Sequence, residues 1–137
     1  MKTSTIFFIL RIIVAILLAR TLFFKFTGHE QSVDLFSALS VALAGDSSME
    51  AMMRIGSGTV ELIAVILILS KKPAAIASGA LLAVATMAGV ILAHFTVIGI
   101  NFGGDATLFI WALVVFLASL VVLFRHRGSL PFLGKFT

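Results

Sequence analysis

Met53-Arg54-Ile55-Gly56-Ser57-Gly58-Thr59-Val60-Glu61 puts an arginine and a glutamate inside a run that otherwise reads as membrane-spanning. On a helix, Arg54, Gly58 and Glu61 stand at i, i+4 and i+7 and share one face. Glu61 then lies roughly 10 Å deeper than Arg54, at a rise of about 1.5 Å per residue. A charge in hydrocarbon costs at least about 2.5–3.5 kcal/mol on insertion scales, so a glutamate at that depth requires a partner and marks a site.

Outward from that run, the chain is apolar almost throughout. Of its 137 residues, 61 % are hydrophobic and 12 % charged, a balance outside that of soluble globules. Stretches long enough to cross a bilayer, about 20 residues each, are Ile6 to Phe26, Met52 to Ser70, Ala74 to Ile98 and Ala106 to Phe124. The expectation is a single all-α transmembrane domain over residues 1–137, a four-helix bundle. Little chain remains for a soluble catalytic unit. The sequence contains no cysteine, which excludes a thiol relay, a Cys-ligated metal or iron–sulfur site and covalently attached haem within this chain.

The net charge of +4 does not indicate nucleic-acid binding, because the charges sort by loop. Lys2, Lys71-Lys72, Arg125, Arg127 and Lys135 fall on one side of the bundle, whereas Glu30, Asp34, Asp46, Glu50 and Asp105 fall on the other. The positive-inside rule then makes both termini cytoplasmic. Arg11 and Arg20 interrupt the first apolar run and no small-x-small site follows it, so that run reads as a retained helix rather than a cleaved signal.

Arg11, near the inner interface, reads as a snorkelling side chain. Arg20 lies about seven residues, or roughly 10 Å, from the outer end of its helix, level with Glu61 on an antiparallel neighbour. The expected ion pair is therefore Arg20 with Glu61, with Arg54 above it, serving either a site or helix packing. In the long first loop, Ser32 to Leu43 alternates apolar and polar residues as a short interfacial helix would, either lidding the bundle or dipping into lipid. Gly45-Asp46-Ser47-Ser48 reads as a turn, with Ser47 or Ser48 capping the next helix.

The third long helix carries two rows of small residues, Ala75-Gly79-Ala83 and Ala85-Gly89-Ala93, the spacing that permits close helix approach in lipid and a protein-buried position. Met87 and His94 follow one another at heptad spacing. His94 is read either as a hydrogen-bonded structural residue or as a proton-handling, quinone-facing one. Neither a haem nor a metal is expected, since no second histidine lies at a matching depth and no ligand cluster has helical spacing. Asp105 is placed to cap the last helix, and Trp111 reads as an interfacial aromatic. Arg20, Arg54, Glu61, His94 and Asp105 all map to the outer half, where one pocket would hold them.

Several stretches together carry a resemblance. Arg11 is followed by Phe23-Phe24-Lys25-Phe26-Thr27-Gly28, then by Arg54-Ile55-Gly56-Ser57-Gly58-Thr59-Val60-Glu61-Leu62. Met87-Ala88-Gly89-Val90-Ile91-Leu92-Ala93-His94-Phe95 comes next, and Gly104-Asp105 precedes Leu108-Phe109. In their order and spacing over nearly the whole chain these resemble the DoxX family. A lysine that family members often carry after the glycine ending helix one is replaced here by Gly28-His29-Glu30-Gln31. The resemblance implies a bacterial inner-membrane four-helix protein, similar to small subunits of thiosulfate:quinone oxidoreductases and to membrane partners of oxidative-stress and sulfur-compound enzymes. It also implies polar family positions at Arg11, Arg54, Glu61 and His94.

The functional expectation is a redox-associated subunit binding a quinone or similar lipid-soluble molecule in the outer half of the bundle. Glu61 and His94 are the candidate catalytic residues, and Arg54, Gly58, Arg20 and Asp105 the cofactor-binding ones. Lacking its own electron carrier, such a subunit needs an oxidoreductase partner. The alternative is a non-catalytic anchor whose buried charges are structural. A carrier function would require a homo-oligomer to enclose a pathway.

Overall fold

The computed structural model describes residues 2–102 and 104–130; Lys135, placed above among the basic residues of one side, lies outside them. The described chain is helical: α1 (Thr3–Thr27), α2 (Glu30–Ala44), α3 (Glu50–Ile68), α4 (Pro73–Ala93) and α5 (Thr107–His126), with a π-helical turn at His94–Ile98 closing α4. Four of these helical stretches are long and apolar enough to cross a membrane. Ile16, Phe23, Ile66, Leu92, Leu117 and Phe124 are exposed on their outer faces, so the bundle is a multi-pass membrane protein with lipid-contacting walls.

Successive long helices run antiparallel, as their contacts require. The start of α1 meets the end of α3 where Arg11 donates to the Ile68 and Ser70 carbonyls at 2.8 and 2.7 Å. The end of α1 meets the start of α3 where Arg54 donates to the Lys25 carbonyl. Each arginine thus serves the last turn of the other helix, where carbonyls lack intrahelical partners and the helix dipole favours a cation. Arg11 is therefore a tie between helices, not the lipid-reaching side chain its position predicts. Arg125 lies 5.3 Å from the Phe7 ring, bringing the end of α5 beside the start of α1.

The core runs along the bundle axis through Val14, Leu18, Ala64, Ile68, Ala80, Ala83 and Val122. Its narrowest point is Gly79: a Cβ there would sit 2.6 Å from the Ile68 nitrogen and 2.9 Å from the Ala64 carbonyl oxygen. Only glycine admits that approach, and close backbone packing supplies the cohesion that hydrophobicity cannot supply in lipid. Of the two expected small-residue rows, the one holding Gly79 and Ala83 packs inward, whereas Ala85 and Gly89 are exposed. Close approach, expected along both rows, is thus found along one.

The first loop contains the expected short helix, longer than predicted, as α2. Its boundaries are set by Gly28 and Gly45, both in the left-handed region at φ 68° and 86°, which a side chain would strain. The expected Ser47 or Ser48 cap is replaced. Asp46 accepts from the Ser48 nitrogen at 3.0 Å at the head of a 3₁₀ turn. Buried Ser40 donates to the Asp46 carbonyl at 2.6 Å and accepts from Met49 N–H at 3.0 Å. A carboxylate and a hydroxyl from α2 thereby stitch the loop to the start of α3.

Candidate functional site

On α1, the buried residues Val14, Ala15, Leu18, Leu22 and Lys25 form one stripe at three- and four-residue spacing. Lys25 ends that stripe, so its side chain enters the bundle although it is charged. Glu61 does the same on α3, after Gly58 on the face that Arg54 begins. The consequence is an ion pair of 2.6 Å between Lys25 Nζ and Glu61 Oε1, with Glu61 1 % and Lys25 8 % exposed. The Thr21 hydroxyl, one turn before Lys25, lies 2.8 Å from the Leu18 carbonyl oxygen and 3.0 Å from Glu61 Oε2, and its single proton serves one of the two. The buried carboxylate thus has the opposite charge that burial requires, on Oε1.

This corrects the expected pairing of Arg20 with Glu61. Arg20 points elsewhere: it is exposed, and its guanidinium lies over the Trp111 ring at 4.1 Å and near Phe24 at 5.7 Å. A planar cation over an indole face is a favourable arrangement. It gives Trp111 a local role beyond that of an interfacial aromatic. Arg54 does not stand above Glu61 as a free site cation either, because its Nε is taken by Glu50 at 2.6 Å. Gly58 is a packing position, where a Cβ would meet the Phe26 ring at 3.2 Å and the Lys25 Cβ at 3.6 Å.

A cavity of about 570 Å³ opens beside the ion pair, within the range of small-molecule sites. Its polar lining residues include Arg20, Thr21, Lys25, Ser57, Glu61, His94 and Asp105, and its apolar ones Leu18, Met87, Val90, Trp111 and Val115. From α2, Leu35, Phe36 and Leu39 complete it. The segment expected either to lid the bundle or to dip into lipid therefore contributes a wall of the cavity, and the Phe36 ring lies 5.4 Å from Lys25 Nζ. Of the six site residues read from sequence, the structure gathers Arg20, Glu61, His94 and Asp105 around one space. Arg54 and Gly58 do not line it.

His94 is held by local backbone geometry. The π-helical turn that it begins ends at Gly99, whose φ of 77° turns the chain so that its carbonyl lies 2.9 Å from His94 Nδ1. A carbonyl only accepts, so Nδ1 carries the proton. The ring is 1 % exposed and packs edge-on against Phe109 with centroids 5.4 Å apart. Its other nitrogen, Nε2, is buried and has no hydrogen-bond partner among the described residues.

Asp105, at the cavity rim, accepts from Thr107 N–H at 3.0 Å, the capping role read from sequence. Backbone and side-chain hydrogen bonds from Thr107 hold its carboxyl below the ordinary aspartate range. Among the described residues no three His, Asp or Glu side chains converge as a metal site. Sequence reasoning missed Lys25 and Thr21. The signal was present, since Lys25 continues the apolar stripe of α1 while Arg20 lies off it.

Fold and cavity together define a multi-pass helical bundle with apolar and polar side chains around a ligand-sized space. Compared with protein-family models, curated proteins and solved structures, the chain matches none.

Proposed function

We propose that this chain is a DoxX-like subunit of a bacterial inner-membrane redox system, with both termini cytoplasmic. In this reading it binds a quinone or similar lipid-soluble molecule in the cavity beside Lys25 and Glu61. The observation that carries the reading is the cavity: ligand-sized and lined by apolar side chains together with Arg20, Glu61 and His94. A lipid-soluble ring with polar substituents matches such walls. Quinones exchange electrons and protons between a carbonyl and a hydroxyl form. The residues around the space supply hydrogen-bonding groups for those oxygens. Electrons come from an oxidoreductase partner carrying its own redox group.

A second reading has its own support. Lys25–Glu61, Arg11 with the α3 carbonyls and Arg54 with the Lys25 carbonyl are all ties between α1 and α3. A non-catalytic anchor would use its buried charges in that way. The two readings separate on purification in mild detergent followed by solvent extraction and mass spectrometry. Stoichiometric bound quinone supports the first, whereas well-folded protein without it supports the anchor.

A further inference from the structure

We infer that His94 Nε2 is a hydrogen-bond acceptor for the cavity's ligand, so that the cavity selects a hydroxyl-bearing aromatic ring, a hydroquinone, over its carbonyl form. This deepens the quinone reading above and rests on it. The Gly99 carbonyl fixes the His94 proton on Nδ1, and in the neutral ring that leaves a bare lone pair on Nε2. That nitrogen is buried without a partner among the described residues, in a side chain that lines the cavity. Buried polar atoms are nearly always satisfied, and leaving one unsatisfied is costly. A ligand carbonyl cannot supply the missing donor, because it too only accepts. A phenolic hydroxyl can.

The rest of the wall is consistent with that assignment. The Glu61 charge is matched by Lys25 at 2.6 Å from Oε1. Phe109 packs edge-on against the imidazole while Gly99 holds the other nitrogen.

The test uses the full chain in detergent at pH 8, above the ordinary imidazole range. Trp111 lines the cavity and is the sequence's single tryptophan, so its fluorescence quenching reports binding. Decylubiquinone, its anaerobically reduced hydroquinone and the hydroquinone's dimethyl ether are titrated in turn. The hydroquinone is expected to bind on the order of tenfold more tightly than the other two, the worth of one satisfied hydrogen bond. His94→Phe keeps an aromatic ring against Phe109 and is expected to abolish the preference, the hydroquinone then binding no more tightly than the quinone. Equal affinities in the wild type, or a preference that survives His94→Phe, overturn the inference and leave quinone binding intact. The dimethyl ether tests the same point without altering the protein: if it binds as tightly as the hydroquinone, the hydroxyl proton is not what His94 recognises. Failure of all three probes to bind overturns the quinone reading itself, and this inference with it.

Discussion

Lys25 Nζ and Glu61 Oε1 meet at 2.6 Å in the interior of the bundle, joining the last turns of α1 to the middle of α3. Removing one member of a buried pair strands the other, at a cost of about 3–5 kcal/mol, while replacing both by apolar residues is often neutral. Lys25→Met or Glu61→Leu alone is expected to lower thermal stability in detergent sharply. The double variant should recover most of that loss. Equal losses in single and double variants would show that the pair contributes to packing by some other route.

Glycine substitutions distinguish the two faces of α4. At Gly79 a Cβ collides with the α3 backbone, and such overpacking costs about 1–3 kcal/mol. At Gly89 a Cβ meets nothing within 4 Å, and alanine gains up to about 1 kcal/mol in helix propensity. Gly79→Ala should therefore unfold at lower temperature than wild type, and Gly89→Ala at the same or a higher one.

Arg11 is predicted to stabilise α3 through its last turn. Losing two hydrogen bonds from a charged donor to the Ile68 and Ser70 carbonyls should cost about 1.5–3 kcal/mol. Arg11→Met keeps the apolar stem and removes the donors. Hydrogen exchange at the end of α3 should speed up in that variant while the start of α3, tied by Arg54, is unchanged.

Asp105 makes stability depend on acidity. Its folded-state carboxyl is held low by hydrogen bonds from Thr107. Its contribution is thus full above the unfolded value of about 3.9 and disappears as pH falls through the lower folded value. The gap in melting temperature between wild type and Asp105→Ala should be present at neutral pH and close below that range. A gap that widens on acidification would contradict the sign.

Long apolar runs bounded by charged turns made the four crossing helices readable from sequence, because bilayer thickness constrains their length so strongly. The amphipathic first-loop helix was readable for the same kind of reason. The π-helical turn after Ala93 was not: residues 74–98 read as one uninterrupted helix, and composition carries no mark of a widened turn. The partner of Glu61 was misassigned because depth was counted from helix ends. Depth alone cannot decide which face a cation occupies. Arg20 sits at the right height on the wrong face, whereas Lys25 continues the buried series through Ala15, Leu18 and Leu22. Arg54 and Arg11 were read as site or lipid-facing cations, since a sequence does not reveal which helix ends will need their carbonyls satisfied.

The most direct test of the cavity's role is the quinone content of purified protein, wild type against Gly89→Leu. Gly89 lines the cavity and has open space at its Cβ, so a leucine there is expected to fill volume without disturbing helix packing. The account predicts near-stoichiometric quinone in extracts of the wild type and a severalfold loss in Gly89→Leu, at unchanged yield and melting temperature. Quinone absent from well-folded wild type, or retained in full by Gly89→Leu, would contradict it.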